Sequence, residues 1–65
     1  MQSEFQKGDR VKFSDEGISI LRRWEGEKVK TFTGTIMLIE SYHVTVQWDG
    51  ESESICYAKK FICKI

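Results

Sequence analysis

The only histidine of the chain, His43, is the first candidate for proton-transfer chemistry. A catalytic histidine acts with a nucleophile or with a carboxylate that orients it, and no such partner stands at a motif spacing from His43. It also falls on the solvent side of an alternating segment in which Val44 and Val46 take the buried side. We therefore interpret His43 as a residue on the surface of a strand.

Two carboxylates, Glu51 and Glu53, are spaced i, i+2 and so share one face of a predicted strand. Glycosidase-like chemistry needs two carboxyl groups across a cleft, with pKa values set apart by their surroundings. No pattern in the sequence builds such a cleft. Charges near a sheet edge also protect that edge from pairing, and we interpret the two glutamates in this way.

The two cysteines, Cys56 and Cys63, are separated by six residues, a spacing that matches no zinc site. The sequence therefore predicts no metal and no cofactor. Two cysteines are enough for one disulfide, so the number alone leaves that possibility. However, the polar start Gln2-Ser3-Glu4 is unlike a signal peptide, which indicates a reducing cytoplasm and therefore free thiols. No apolar run approaches the ~20 residues that span a bilayer, so we expect no membrane partner.

Two basic segments are the best signal for nucleic-acid binding, one from Arg22 to Lys30 and one at Lys59-Lys60. Lys and Arg neutralise phosphates, and an indole stacks on an unpaired base. Against this, ten basic and ten acidic residues give no net charge, and Trp24 could instead close a helix onto the core. The residues that would contact nucleic acid are Arg22, Arg23, Trp24, Lys28, Lys30, Lys59 and Lys60.

An apolar run and a set of acidic residues form the candidate surface for a protein partner. Residues 36–39 are all apolar, and since a strand buries alternate residues, one pair must face outward or lie under a helix. Exposed apolar neighbours mark an interface with a partner or with a second copy. No Lys or Arg occurs between Thr31 and Ala58. The predicted surface consists of Met37, Ile39, Glu40, Asp49, Glu51 and Glu53.

The elements that position these residues follow from hydrophobic period and turn residues. The alternation of residues 42–48 predicts a strand, and Asp49-Gly50 predicts a two-residue hairpin turn into a partner strand at 52–57. Ser14 followed by two acids predicts a helix start. The further predicted elements are strands at 10–13, 35–39 and 62–65, a helix at 15–23, a polar loop at 25–33 and one helical turn at 58–61. Alternation places Val11, Phe13 and Trp48 on buried faces, and Ile18 and Leu21 recur at helical spacing.

These elements predict one all-β domain over residues 1–65, with residues 1–7 frayed unless Phe5 packs on the core. The fold class is a small five-stranded SH3-like barrel. It has a short helix in the first long connection and a one-turn helix before the last strand. A barrel of another topology, such as an oligonucleotide-binding fold, is the alternative.

Three segments resemble small SH3-like barrel proteins found among phage and prophage genes, which are related in architecture to KOW and Tudor-like modules. The segments are GDRVKFSDEG (8–17), GTIMLIESYHVTVQWDG (34–50) and YAKKFICKI (57–65). The resemblance implies a non-catalytic accessory protein that binds a host or defence protein, or itself as a homo-oligomer. Tudor-like relatives hold methylated lysine in an aromatic cage, for which the candidates are Trp24, Tyr42, Trp48 and Tyr57.

Two departures from known families bear on function. In the phage-type proteins a basic residue and Pro often follow Trp-Asp-Gly, whereas this chain has Glu51-Ser52-Glu53, which weakens a nucleic-acid role. The Gly-Asp-Arg-Val start also resembles the plasmid-borne, trimethoprim-resistant dihydrofolate reductases. Their Val-Gln-Ile-Tyr pore strand would correspond to Glu53-Ser54-Ile55-Cys56, which lacks Gln and Tyr. We therefore expect a binding module and not an enzyme.

Overall fold

The computed structural model describes residues 5–65 of the chain. A five-stranded antiparallel sheet dominates it, with strand order β4-β3-β2-β1-β5. The elements in chain order are β1 (Arg10–Phe13), α1 (Asp15–Glu25), a first 3₁₀ helix (Gly26–Thr31), β2 (Gly34–Ile39), β3 (His43–Trp48), β4 (Ser54–Ala58), a second 3₁₀ helix (Lys59–Phe61) and β5 (Ile62–Lys64).

The predicted strands and both predicted helical segments are present, so a small β-rich domain is confirmed. The sheet is not closed into a barrel. Within residues 5–65, β4 pairs only with β3 and β5 pairs only with β1, which leaves one free edge on each of these strands.

Helix α1 begins at the predicted place and extends two residues beyond the predicted end. Ser14 caps it, since its hydroxyl oxygen accepts from the Gly17 N–H over 3.2 Å, while its O–H donates to the Lys60 carbonyl over 2.6 Å. The cap thus joins the helix start to the second 3₁₀ helix. At the other end, the Gly26 N–H donates to the Arg22 carbonyl, a common way for a helix to end at glycine.

Gly17 allows α1 to lie directly on the second 3₁₀ helix. A Cβ at this position would come within 2.5 Å of the Phe61 carbonyl oxygen, closer than real Cβ contacts. The glycine that weakens the helix in isolation is therefore the residue that permits its packing. Ile18 and Leu21, as predicted, turn toward the core.

The first 3₁₀ helix replaces the polar loop predicted for residues 25–33, and it corrects the interpretation of Trp24. Val29 on this 3₁₀ helix is fully buried and completes the core beside α1. Because Val29 takes that place, Trp24 is not needed to close the helix onto the sheet. Its side chain is 79% exposed.

The core lies on one face of the sheet and confirms the alternation in β1 and β3. Val11, Phe13, Val44, Val46 and Trp48 are all buried. Ile36, Ile62 and Val29 complete this cluster, and half-buried Phe5 packs against it. Of residues 1–7, which we expected to fray, residues 1–4 lie outside the described part of the chain.

A bulge in β2 changes the prediction for the apolar run. Ile36 pairs with Val46 and Leu38 pairs with Thr45, so Met37 is the extra residue. The bulge shifts the alternation by one. Met37 and Leu38 are therefore both about half exposed, at 47% and 48%, whereas Ile39 returns to pack on the core. We expected Met37 and Ile39 to be the pair that faces outward or lies under the helix. This prediction is wrong for Ile39, which packs on the core, and Met37 is exposed and not covered by α1.

The connection between β3 and β4 is longer than the predicted two-residue turn. Gly50, with φ 88°, is the only residue of this loop with positive φ. The Glu51 N–H donates to the Trp48 carbonyl over 3.1 Å, which closes a four-residue turn with Gly50 in the third position. Glu51 and Glu53 therefore lie in the loop and not on β4. Edge protection by charges on the strand was the wrong interpretation of this pair.

The described residues include no helix of the length and apolar character needed to cross a membrane.

Candidate functional site

A cleft of about 300 Å³ opens between α1, the end of the first 3₁₀ helix and the β3–β4 hairpin. Pockets of this size, lined by apolar and aromatic groups with a few polar ones, are the usual form of a binding site. Leu21 of α1 and Ile55 of β4 contribute aliphatic side chains to its lining. We call it the aromatic cleft because its remaining apolar lining consists of Phe13, Phe32, Trp48 and Tyr57.

The four rings pack as one cluster. The Phe13 and Trp48 centroids are 4.5 Å apart, and Tyr57 stands nearly perpendicular to Phe13, at 5.4 Å and 86°. Phe32 lies 6.1 Å from both Phe13 and Trp48. Phe13 and Trp48 are buried, so they form the base, while half-buried Phe32 and Tyr57 form the sides. Tilted and edge-to-face ring pairs of this kind hold each other in place.

A hydrogen bond fixes the two rings that come from the β3–β4 hairpin. The Trp48 indole N–H donates to the Tyr57 hydroxyl oxygen over 2.9 Å. Burial is the main cause that raises the pKa of Tyr57, and the Glu25 carboxylate raises it further, against the lowering effect of the Trp48 bond. The Tyr57 hydroxyl is therefore a neutral group that can still donate its own proton.

Asp49 stands at the rim, and a network of hydrogen bonds holds its carboxylate. Arg10 binds both carboxylate oxygens, one of them over 3.0 Å, and the Thr33 hydroxyl donates over 2.7 Å. The Arg10 hydrogen bond, foremost, holds the pKa of Asp49 down at about 2. Arg10 also donates to Thr35 over 2.7 Å. The Asp49 charge is thus balanced by Arg10, and the network ties β1 to the start of the β3–β4 loop.

The remaining charges at the rim are Glu25, Lys28 and Glu51. Glu25 and Lys28 are 3.9 Å apart, a loose pair on the surface. Glu51 has no ion pair among residues 5–65. Carboxylates therefore outnumber cations at the mouth of the cleft, and Glu51 is the one whose charge is not already matched.

The predicted protein-partner surface divides into two parts. Asp49, Glu51 and Glu53 lie in the β3–β4 loop, whereas Glu40 lies beyond β2, at the opposite end of the β2–β3 pair. β3 is six residues long, so its two ends are about 17 Å apart. Only the hairpin end adjoins the aromatic cleft. Met37 and Glu40 belong to a separate region.

The two predicted basic segments approach each other through Lys30 and Lys60, which line the same groove. Lys12, Lys30 and Lys60 line a second, wider groove together with Asp15 and Glu16. Carboxylates neutralise much of this charge. The ion pairs are Lys30 to Glu27 at 3.0 Å, Lys60 to Glu16 at 3.8 Å, Arg22 to Glu27 at 3.9 Å and Lys28 to Glu25 at 3.9 Å.

The predicted aromatic cage was half wrong. Trp48 and Tyr57 belong to the cluster, but Trp24 and Tyr42 are each 79% exposed and lie outside it. Phe13 and Phe32 take their places. Phe13 was predicted only as a core residue, and no sequence signal distinguished Phe32 within the predicted loop.

The candidate residues for catalysis and metal binding do not form a common site. His43 is exposed, and both cysteines are free, with Cys56 exposed and Cys63 half buried. Within residues 5–65, no three His, Cys, Asp or Glu side chains are grouped to hold a metal ion.

Comparison of the chain with models of protein families, with curated proteins and with solved structures found no match.

Proposed function

We propose that this chain is a non-catalytic binding module that takes a basic side chain of a partner protein into the aromatic cleft. The cleft carries this proposal. Its aromatic base and apolar walls suit the methylene stem of a lysine or arginine, and aromatic faces attract the cationic end. The Glu51 carboxylate at the rim supplies the opposite charge.

The position of the charges favours this occupant over an apolar one. A purely hydrophobic ligand would leave Glu51 and the Glu25–Lys28 pair beside an uncharged group. A cationic side chain gives Glu51 a partner and leaves the Arg10–Asp49 pair undisturbed. Electrostatic complementarity of this kind adds selectivity more than affinity.

The resemblance to phage-type proteins supports a more specific form of the proposal, an accessory protein that acts in the bacterial cytoplasm on a host or defence protein. It also supports an SH3-like barrel in an open form, with β4 and β5 as its unclosed edges. The dihydrofolate reductase-like alternative would place its pore strand at Ser54, Ile55 and Cys56 on the free edge of β4.

Capture from bacterial lysate with matched variants tests the proposal. Immobilised wild type and Glu40→Lys should retain the same partner, since Glu40 lies away from the cleft. Glu51→Lys should lose it, because a lysine at the rim repels the incoming cation. Replacing the bound basic residue of the identified partner by Gln should also abolish capture. Equal capture by the Glu51 and Glu40 variants would overturn the assignment to the cleft.

A second candidate function is nucleic-acid binding, and the presence of Lys30 and Lys60 in one groove favours it. Arg23, Lys59 and the groove lysines would contact phosphates. Binding would weaken steeply with salt, with a log–log slope of about −4.5 for five neutralised phosphates of duplex DNA. Fluorescence anisotropy with single-stranded and duplex oligonucleotides tests this candidate. No binding at ~50 mM salt, where electrostatic attraction is strong, would remove it.

A further inference from the structure

The two edges of the sheet differ in a way that bears on self-association. Edge strand β5 has only three residues and ends in Lys64, and short charged edges resist pairing with another chain. Edge strand β4 has five residues, SICYA, with no charge and no proline. Glu51 and Glu53 lie in the loop before it, so β4 lacks the usual protection.

The register of β3 and β4 shows which backbone groups are free. The Lys59 N–H donates to the Tyr42 carbonyl over 3.0 Å, beside the pair of His43 and Ala58. Bonded and non-bonded pairs alternate in an antiparallel ladder, so Tyr57 and Ile55 direct their N–H and C=O groups toward β3. The corresponding groups of Ser54, Cys56 and Ala58 point to the open edge.

From this edge we propose that β4 pairs with β4 of a second copy of this chain, antiparallel, about a two-fold axis at Cys56. In this register every residue whose N–H and C=O groups point to the open edge lies opposite another such residue. Cys56 lies opposite Cys56 of the second copy, and Ser54 lies opposite Ala58 of the second copy. All six outward N–H groups of the two strands then find acceptors. Self-pairing about a two-fold axis requires a self-complementary patch, and this segment has one.

The side chains match in the same register. Ile55, which is 48% exposed, lies opposite Tyr57 of the second copy on the inner face of the sheet, an apolar–aromatic cross-strand pair. Beyond the strand, Glu53 lies opposite Lys59 of the second copy. The segment from 53 to 59 thus begins with an acidic residue and ends with a basic one. When two copies of it pair antiparallel, opposite charges lie next to each other at both ends.

Sedimentation velocity over a concentration series tests the proposal, since a five-residue edge gives a weak, concentration-dependent dimer. Ile55→Lys should remain monomeric at concentrations where wild type dimerises. Ile20→Lys on α1 is the matched control, because Ile20 is 46% exposed and away from β4, and it should dimerise like wild type. Cys56→Pro should also prevent dimerisation, since it deletes an N–H that points away from β3, whereas Cys56→Ser should not.

A charge exchange tests the register itself. Glu53→Lys and Lys59→Glu should each weaken the dimer, because each places like charges opposite one another. The double variant restores both opposite-charge pairs and should recover dimerisation. A monomer at every concentration up to about 1 mM would overturn the proposal. So would a dimer that Ile55→Lys and Cys56→Pro leave intact, since it would use another surface.

Discussion

The indole N–H of Trp48 donates to the hydroxyl of Tyr57 over 2.9 Å, and this bond joins β3 to β4 at the base of the aromatic cleft. Trp48 is only 5% exposed, and the Tyr57 hydroxyl is the acceptor that its indole N–H has within the fold. The bond therefore links the stability of the domain to the shape of its candidate binding site.

Tyr57→Phe is expected to lower the free energy of unfolding by about 1–3 kcal/mol, because it leaves a buried donor without an acceptor. Urea unfolding followed by circular dichroism measures the change. Tyr42→Phe is the matched control: Tyr42 is 79% exposed, and the loss of its hydroxyl should change stability by less than about 0.5 kcal/mol. Similar effects of the two variants would contradict the role assigned to the Trp48 bond.

Gly17→Ala is expected to destabilise the protein, although the same change in a free helix adds up to ~1 kcal/mol of stability. The new Cβ would meet the Phe61 carbonyl oxygen at 2.5 Å, and backbone atoms on both sides must move to relieve the clash. Overpacking of this kind costs about 1–3 kcal/mol. Thermal unfolding compares it with Ser19→Ala on the exposed side of α1, which should be neutral or stabilising. A gain from Gly17→Ala would refute the close approach.

Asp49→Asn is expected to reduce the sensitivity of the fold to acid. Arg10, foremost, lowers the pKa of Asp49 from 3.8 to about 2, so the folded state binds this proton less readily than the unfolded state does. The pair therefore stabilises the fold fully above pH 3.8 and loses this contribution as the pH falls toward about 2.

Urea unfolding at several pH values between about 2 and 3.8 tests whether stability falls with pH in this way. The free energy of unfolding should fall less steeply with decreasing pH in Asp49→Asn than in wild type. Glu53→Gln is the matched control, because it removes a carboxylate from the same loop but no ion pair within residues 5–65. An unchanged slope in Asp49→Asn would show that the Arg10 pair does not form in solution.

The sequence was sufficient for the strands, because period-two alternation in β1 and β3 depends only on which face is buried. It was insufficient at Met37, where four apolar residues in a row gave the register no preference and the bulge decided it. The length of the β3–β4 loop was also missed, since Asp49-Gly50 suits both a two-residue hairpin and the longer turn. Gly26 ends α1, but a glycine in a polar, mixed-charge segment is equally consistent with a loop.

The aromatic cleft could not be predicted, because its parts are distant in sequence and meet only after folding. Phe13 and Trp48 were recognised as core residues from alternation. Phe32 lies in a segment without hydrophobic periodicity. Val29, which fills the place in the core that Trp24 could have taken, is surrounded in the sequence by charged residues. A pocket depends on where the core ends, and that depends on the position of the first 3₁₀ helix.

The most direct test of the central claim is a titration of ¹⁵N-labelled protein with n-butylammonium, an analogue of the lysine side chain, followed by NMR. The indole N–H of Trp48 and the amides of Ile55 and Tyr57 should shift with a dissociation constant of about millimolar order. The indole N–H of exposed Trp24 should stay in place. n-Butanol, which has the same stem without the charge, should bind more weakly, and Glu51→Gln should remove this difference. Shifts that are equal for the two compounds, or that avoid Trp48, would contradict a cleft selective for basic side chains.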